Sequence, residues 1–190
     1  MGEVLKGLLE LQPDLAPDRR VEYPWAIGKM TAPAEVLDVG CDGSIISKYL
    51  LNRGFNVIAA DIDPNGRYYW NGEVRSNFAL VDCRHPPSHW KNRFDYILII
   101  STLEHLEDDN DVLMINNLTK CMKTGGKMFI TGPYGDGWME IGDHIERGYN
   151  EENLTRLSCG LHLVSTKLFA KEEMNWPWKD IFCIEFERGI

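Results

Sequence analysis

The chain has 190 residues, of which 44% are hydrophobic, 11% aromatic and 26% charged, and this mixture predicts one globular domain with a full core. Its 20 basic and 29 acidic residues give a net charge of -9. Such a field repels polyanions, so nucleic acid is not expected as a partner. The five cysteines are scattered without a CxxC pair, which argues against a zinc site or a disulfide framework and favours reduced cytosolic thiols.

The N-terminal stretch MGEVLKGLLELQPDL carries acids within its apolar part and lacks the basic start of a signal peptide. No stretch approaches the roughly 18 consecutive apolar residues that a membrane span requires. These features predict a soluble, cytoplasmic protein without a membrane partner. Within a single domain over residues 1–190, we expect residues 1–33 to form a helical lid and residues 34–190 to form an α/β core.

From residue 34 onwards, short apolar runs alternate with helix-like segments. The apolar runs predict strands at residues 34–39, 56–60, 78–81, 94–100 and 127–131. Segments whose apolar residues share one face, or which begin at a capping residue, predict helices at residues 44–52, 109–122 and 150–157. The last two β-rich runs, 162–170 and 181–187, have no helix pattern between them and are expected to pair antiparallel.

Strands that are buried on both faces and alternate with helices are typical of a parallel sheet wrapped by helices. The predicted fold class is therefore α/β, with a doubly wound, mostly parallel sheet and a C-terminal antiparallel hairpin. In such sheets ligands bind beyond the carboxyl ends of the strands. The polar residues of this chain follow its predicted strands, so we expect the functional site at that edge of the sheet.

Four strand ends carry polar residues that suit a nucleotide cofactor. The first strand runs into DVGCDGS (38–44), where Gly40 lets the backbone approach a ligand and the next helix offers free N–H groups. Asp61 follows the second strand, 21 residues after Gly40, and acids at that spacing bind ribose hydroxyls in dinucleotide sites. An acid in DC (82–83) can meet the amino group of an adenine, and STLEH (101–105) follows the fourth strand.

Each of these positions has a simpler structural explanation. A single acid after a strand is more often a helix cap or a turn residue than a ligand. Four such positions in order, each at its own strand end, favour a cofactor site instead. The spacing of Asp61 is also found in nicotinamide-dependent oxidoreductases, but the first loop lacks the full GxGxxG, and Asp38 lies where those enzymes usually have an apolar residue.

The chain resembles the class I S-adenosylmethionine-dependent methyltransferases of the small-molecule type over roughly residues 34–170. The matching segments are VLDVGC (36–41), VIAADIDP (57–64), ALVDC (79–83), FDYILIISTLEHL (94–106), KTGGKMFITGPYG (123–135) and RGYNEENLTRL (147–157). The block around Glu104 and His105 and the GGKMFITGP strand are the more specific parts, because the glycine loop alone is a weak signal. The resemblance implies a Rossmann-like sheet of seven strands and S-adenosyl-L-methionine as the cofactor.

The resemblance also implies a division of labour among the strand ends. The first would hold the methionine end of the cofactor, the second its ribose, the third its adenine, and the fourth the methionyl carboxylate. The implied cofactor-binding residues are Asp38, Gly40, Cys41, Asp42, Asp61, Ile62, Asp82, Cys83 and Ser101. The chain departs from the family in its opening loop, where Asp42 and Ser44 occupy two of the glycine positions. The Asp42 carboxylate either crowds the cofactor or pairs with its positive charge.

Methyl transfer to a hydroxyl requires alignment of the nucleophile and removal of its proton, a task that histidine suits near neutral pH. His105 follows the fourth strand, close to the expected position of the methyl group. His144 lies in GDGWMEIGDHIERGY (135–149), which we expect to be a long substrate-recognition loop, between Asp143 and Glu146. Both are candidate catalytic residues. Each also has a structural alternative, since His105 can brace the turn and His144 can pair with a neighbouring acid.

Two further features have competing explanations. The run EDDND (107–111) is rich in carboxylates, but acids at the start of a helix complement its dipole, so no metal site is predicted. The aromatic segments EYPWAIGKM (22–30) and NWPW (175–178) either cover the acceptor as a lid or pack the N-terminal helix onto the sheet. The sequence does not decide between these roles.

The sequence therefore predicts S-adenosylmethionine-dependent methyl transfer to a small-molecule acceptor, with oxygen favoured over nitrogen or carbon as the nucleophile. Two alternatives stay open. One is a non-catalytic cofactor-binding module of the same fold, motivated by the altered 42–44 loop, and the other is a nicotinamide-dependent oxidoreductase. The acceptor and the oligomeric state are not defined by the sequence, and a homodimer is compatible with it.

Overall fold

The computed structural model describes residues 2–141, 144–170 and 180–189, without the side chain of residue 144. Two helices come first, α1 (Gly2–Leu11) and α2 (Arg19–Ile27). The core then consists of β1 (Glu35–Val39), α3 (Ile46–Leu51), β2 (Asn56–Asp61), β3 (Phe78–Leu80), β4 (Phe94–Ile100), α4 (Asn110–Thr119) and β5 (Met122–Tyr134). The remaining elements are β6 (Trp138–Ile141), β7 (His144–Arg147), α5 (Glu151–Arg156), β8 (His162–Ala170) and β9 (Asp180–Glu187).

Seven strands form one sheet in the order β3-β2-β1-β4-β5-β9-β8. The strands from β3 to β5 pair in parallel, whereas β9 pairs antiparallel with both β5 and β8. The predicted doubly wound sheet with a C-terminal antiparallel pair is thus confirmed. Because β1 lies between β2 and β4, the chain reverses its direction of progress across the sheet at β1. The carboxyl ends of these three strands therefore meet at one place, which is where α/β sheets bind ligands.

The apolar continuity of the central strands follows from burial on both faces of the sheet. Along β4, Ile97 and Ile99 pack into one hydrophobic cluster, while Leu98 and Ile100 pack into a second cluster on the opposite face. Successive side chains of a strand point to opposite faces, so a strand covered on both sides needs an uninterrupted apolar run. The run FDYILII meets this need, and its bounds in the structure match those expected from the sequence.

The helix expected over residues 109–122 is shorter, and the strand expected over residues 127–131 is longer. Helix α4 ends at Thr119, and Met122 already belongs to β5. The register between β4 and β5 shifts after the pair Phe94–Met122 and resumes at Tyr96–Lys127. This bulge accommodates the extra residues that include Gly125, whose φ of 73° is readily adopted by glycine. Gly125 and Gly126 therefore lie within the bulged part of β5, not before its start.

The segment expected to be a long loop contains a second, small sheet. Strands β6 and β7 pair antiparallel, with Trp138 opposite Arg147 and Ile141 opposite His144. The prediction of a long loop over residues 135–149 was wrong, because this segment contains two paired strands. Arg147 and Tyr149 are both buried, so the hairpin is held against the core at its C-terminal end.

The N-terminal helices pack on one face of the sheet. Leu8, Tyr23 and Trp25 are buried, and the ring of Trp25 meets that of Phe129 edge to face at 5.7 Å between centroids. The aromatic segment 22–30 therefore packs a helix onto the sheet, the second of its two expected roles. The segment 175–178 lies outside the described residues. None of the helices in the described ranges is long and apolar enough to cross a membrane.

Candidate functional site

A cavity of about 740 Å³ opens where the carboxyl ends of β1, β2 and β4 meet. Its volume is within the range that small-molecule and cofactor sites usually occupy. Residues from the N-terminal segment, among them Leu15 and Tyr23, also line the cavity. All nine residues that the sequence assigned to a cofactor line this cavity, namely Asp38, Gly40, Cys41, Asp42, Asp61, Ile62, Asp82, Cys83 and Ser101. Their contacts with a ligand stay a prediction.

Gly40 is required by the close approach of two strand ends. Its φ is 65°, and a Cβ atom at this position would lie only 2.4 Å from Cγ2 of Thr102. Thr102 is fixed in turn, because its hydroxyl donates a hydrogen bond to the carbonyl oxygen of Val39. No side chain larger than hydrogen fits at residue 40 without moving this turn, so the loop's shape depends on the glycine.

Asp38 is buried beneath the loop and organises it from within. The hydroxyl of Ser47 donates a 2.6 Å hydrogen bond to Oδ2 of Asp38, which ties β1 to helix α3. Burial raises the pKa of Asp38, and the nearby guanidinium of Arg75 and the hydrogen bond from Ser47 oppose that rise. Asp38 thus acts on the cavity by holding the loop, in addition to lining it.

Asp61 receives two backbone hydrogen bonds that orient its carboxylate at the rim of the cavity. The N–H of Asp42 donates to Oδ2 at 2.8 Å, and the N–H of Asp63 donates to Oδ1 at 2.9 Å. Each carboxylate oxygen has two lone pairs, so both oxygens keep capacity for a further donor such as a ribose hydroxyl. The residues present at this rim therefore fit the sugar of a nucleoside cofactor.

Asp42 adopts the backbone conformation that the family's glycine would supply. Its φ is 38°, in the left-handed region that aspartate tolerates better than most residues. This conformation directs its N–H to Asp61, while its side chain is exposed. The departure from glycine at this position therefore leaves the loop closed over β2 and adds a carboxylate at the mouth of the cavity.

Arg75 supports the same loop, although no sequence pattern predicted this role. It is 3% exposed, and its Nη2 donates hydrogen bonds to the carbonyl oxygens of Cys41 and Ser44. Its guanidinium also lies over the ring of Tyr69, 5.0 Å from the centroid. A single arginine in an irregular segment gave no periodic signal, so only the folded chain reveals that it braces the loop.

The third strand end carries an ion pair. Arg84 donates from Nε and Nη2 to both carboxylate oxygens of Asp82, and these bonds hold the pKa of Asp82 below its usual range. Burial raises the pKa of the neighbouring Cys83 thiol to about 12, so it is neutral at physiological pH. The contact of Asp82 with an adenine amine stays a prediction, and Arg84 would share that carboxylate.

Helix α2 is joined to the end of β4 by a partly buried polar cluster that the sequence did not predict. Ser101, whose φ is 45°, donates a 2.8 Å hydrogen bond to Oε1 of Glu22 and accepts a 2.6 Å bond from Nη1 of Arg19. Arg19 also donates to Glu22. Burial alone would lower the pKa of Arg19, but the nearby carboxylates raise it overall. A guanidinium is therefore held at the cavity wall beside Ser101.

The two candidate catalytic histidines lie in different parts of the structure. His105 ends a short 3-10 turn, Leu103–His105, is exposed, and lines the cofactor cavity. The backbone of His144 lies in β7 opposite Ile141, and its side chain lies outside the described residues. A catalytic role for either histidine therefore stays a prediction. Across the ranges that the structure describes, no group of three or more His, Cys, Asp or Glu side chains converges as a metal site.

A second cavity of about 420 Å³ adjoins the first, and Arg19, Ser101 and His105 line both. Glu104 lines the second cavity and is only 3% exposed, and its Oε2 has no hydrogen-bond partner among the described residues. Burial raises the pKa of Glu104 to about 8. In the sequence, Glu104 stands out only as part of a family block, because burial without a partner has no local sequence signal.

The chain matches a family model described as "Methyltransferase domain" over residues 12–179. It therefore belongs to this methyltransferase family, and its sheet order and the cavity at its strand ends are those expected of a class I S-adenosylmethionine-dependent methyltransferase. Among curated relatives, the ubiquinone biosynthesis O-methyltransferase of Xanthomonas oryzae pv. oryzae is 28% identical over 105 residues, which is 53% of this chain and 43% of that protein. The chain thus spans less than half the length of this relative.

Solved structures share the whole fold. The 1,6-didemethyltoxoflavin-N1-methyltransferase of Burkholderia thailandensis, solved with 1,6-didemethyltoxoflavin and S-adenosylhomocysteine, superposes with a TM-score of 0.74 at 17% identity, covering 100% of this chain and 87% of that chain. A SAM-dependent methyltransferase of Methanosarcina mazei has the same TM-score at 15% identity, covering 88% of this chain and 98% of that chain. At these identities the likeness shows the fold alone.

Proposed function

We propose that the protein transfers the methyl group of S-adenosylmethionine to a hydroxyl group of a small-molecule acceptor. The observation that carries the proposal is the cavity at the ends of β1, β2 and β4, where Gly40, the 41–44 loop and the oriented carboxylate of Asp61 face the same space. The choice of oxygen is supported by the curated relatives, which are O-methyltransferases at 27–30% identity over about half of the chain.

The residues of this chain would divide the work of holding the cofactor. Asp61 would accept the ribose hydroxyls, and the 41–44 backbone would hold the methionine end. Arg19 and Ser101 stand at the wall where a carboxylate would be received. When bound, S-adenosylmethionine supplies a methyl group on a sulfonium, which is already an excellent leaving group. The protein then has to align the acceptor and take up its proton.

The first test is binding. We expect both S-adenosylmethionine and S-adenosylhomocysteine to raise the melting temperature, by about 5 °C or more at 100-fold excess over Kd. NADH serves as the competing ligand, because a nicotinamide-dependent oxidoreductase would respond to it instead. No shift with either methyl-donor compound at millimolar concentration would contradict the proposal.

The second test is transfer. The chain is incubated with methyl-labelled S-adenosylmethionine and a panel of phenols, alcohols, amines and carbon acids, and labelled products are counted. We expect label on hydroxyl acceptors, with release of S-adenosylhomocysteine and no transfer by the Asp61→Ala variant. Transfer to amines alone would refute the choice of oxygen. A cofactor that binds but is not turned over with any acceptor would support the non-catalytic module instead.

A further inference from the structure

The cavity beside Glu104 contains a group that the cofactor site does not explain. Glu104 is nine-tenths buried or more, yet its Oε2 accepts no hydrogen bond from any described residue. Burying a carboxyl oxygen without a partner is costly, so such groups concentrate at functional sites. The cavity continues into the cofactor site through Arg19, Ser101 and His105, which line both spaces.

Gly132 lets strand β5 approach the Glu104 carboxyl group closely. It lies in β5, and a Cβ atom there would be 3.4 Å from Oε2 of Glu104 and 3.0 Å from Cε1 of Phe182. A side chain at residue 132 would therefore crowd this buried group, and glycine offers Oε2 no side-chain hydrogen-bond donor. Gly132 and Pro133 form this side of the cavity, and the neighbouring hairpin contributes Glu146.

The charges around the cavity disfavour an anionic acceptor. The titratable and charged groups that line it with Glu104 come from α2, the 3-10 turn and β7, and they are Asp18, Arg19, Glu22, His105 and Glu146. Arg19 is already engaged with Glu22 and Ser101. A neutral acceptor that donates a hydrogen bond therefore suits this cavity better than a carboxylate or a phosphate.

We propose that this second cavity is the acceptor subsite and that Glu104 is the catalytic base, with its carboxylate accepting the hydrogen bond and then the proton of a neutral hydroxyl acceptor. The proposal rests on the function proposed above. In the step, the acceptor's O–H bond breaks and its proton passes to the Glu104 carboxylate. The oxygen forms a bond to the methyl carbon, and the electron pair of the breaking S–CH₃ bond stays on sulfur.

The electrostatic setting of Glu104 suits this role. Burial raises its pKa to about 8, Arg19 opposes the rise, and Glu22 and Glu146 add to it. A base works best when its pKa lies near the working pH, because both proton uptake and the deprotonated fraction are then appreciable. A sulfonium charge near the cavity favours the carboxylate form, so the methyl donor itself would prepare the base.

The experiment compares the wild type with three variants, and cofactor binding is measured first. Glu104→Gln keeps the shape and removes the base, and His105→Gln removes the rival base. Glu152→Gln is the matched control, since Glu152 is exposed in the first turn of α5. We expect Glu104→Gln and Glu152→Gln to bind S-adenosylhomocysteine within about threefold of the wild type. A wild type that binds neither S-adenosylmethionine nor S-adenosylhomocysteine would refute the proposed function, not only the role of Glu104.

The decisive measurement follows the carboxyl group itself. Glutamates are labelled with carbon-13 at the side-chain carboxyl, and the Glu104 resonance is assigned by its absence from the Glu104→Gln spectrum. We expect its titration midpoint to lie near pH 8 with S-adenosylhomocysteine, and roughly one pH unit lower with S-adenosylmethionine. Equal midpoints in the two complexes would overturn the proposal, because the Glu104 carboxylate would then not face the methyl group.

Kinetics with the hydroxyl compound selected by the acceptor screen provide the second readout. We expect Glu104→Gln to lower kcat by about 10²- to 10⁴-fold, the usual contribution of a general base. We also expect it to abolish the rise of kcat/KM towards pH 8, whereas His105→Gln and Glu152→Gln keep that rise. A Glu104→Gln enzyme within tenfold of the wild type, or one with an unchanged pH profile, would refute the assignment.

Discussion

At the scale of single residues, we expect Asp61 to link the shape of the loop to the binding of the cofactor. Its two carboxylate oxygens accept hydrogen bonds from the N–H groups of Asp42 and Asp63, and each oxygen keeps a lone pair for a ligand. We expect Asp61→Asn to weaken S-adenosylhomocysteine binding by roughly ten- to hundredfold, because an amide presents an N–H group where one of these donors needs an acceptor. Calorimetry measures this change.

Asp63→Asn is the matched control for that measurement. Asp63 is exposed, and its side chain accepts a hydrogen bond from the N–H of Asn65 within its own turn. We expect this variant to keep the affinity of the wild type within a factor of three. Equal losses from both substitutions would mean that Asp61 acts through the fold of the turn rather than through the ligand.

We expect the carboxylate of Asp42 to distinguish the methyl donor from its product. The backbone at residue 42 is already left-handed, so Asp42→Gly preserves the loop while removing the charge. We expect S-adenosylmethionine to bind a few-fold more weakly and S-adenosylhomocysteine to bind as before, because only the donor carries the sulfonium. Calorimetry at low and high salt measures both. If both ligands instead bind more tightly, the side chain crowds the cavity.

At the scale of elements, the β6–β7 hairpin depends on one buried arginine. Arg147 donates to the carboxylate of Asp111, the carbonyl of Asp108 and the hydroxyl of Tyr149, and that hydroxyl donates to the carbonyl of Leu103. This network ties the hairpin to the turn that carries Glu104. The same hairpin contributes Glu146 to the second cavity, so its position determines the shape of that space.

We expect Arg147→Met to destabilise the fold by about 3–5 kcal/mol, because it leaves the buried carboxylate of Asp111 without its cation. Chemical denaturation measures the loss. Arg156→Gln is the matched control, since it breaks an exposed pair with Asp109 and should leave the free energy of unfolding nearly unchanged. A second change, Asp111→Asn in the Arg147→Met background, should recover part of the loss. Equal costs for the two arginines would contradict the role of burial.

At the scale of the whole molecule, the buried acid Glu104 makes stability depend on pH. Its pKa rises from 4.5 to about 8 on folding, so the folded state binds more protons than the unfolded state between these values. Its contribution to stability is complete below about pH 4.5 and is lost as pH rises through about 8. Buried Asp38, whose pKa is also raised, acts in the same direction.

We therefore expect Glu104→Gln to reduce this pH dependence. Relative to the wild type, the variant should gain stability steadily between pH 5 and pH 8.5, because an amide does not lose a proton in that range. Unfolding free energies from denaturant titrations at several pH values give the comparison. A constant difference between the two proteins across this range would show that Glu104 titrates at its ordinary pKa in the folded state.

Much of this architecture is predictable from local patterns. The uninterrupted apolar run of β4, the cap at Asn150 and the acids after β2 and β3 each follow from the character of a few neighbouring residues. Their order along the chain then defines the doubly wound sheet, because parallel strands need crossovers and place their ends at one edge. For this reason the sequence sufficed to bring nine candidate residues to a single cavity.

Only the tertiary structure decided how the second cavity is built. The hydrogen bond between Ser101 and Glu22 joins residues 79 positions apart, and Oε2 of Glu104 is left without a partner where it meets Gly132 of another strand. Periodicity encodes which residues are buried, but not which distant side chains they meet. A buried carboxyl group has the same local sequence signal whether it is satisfied or left facing a cavity, so that distinction arises only when the chain folds.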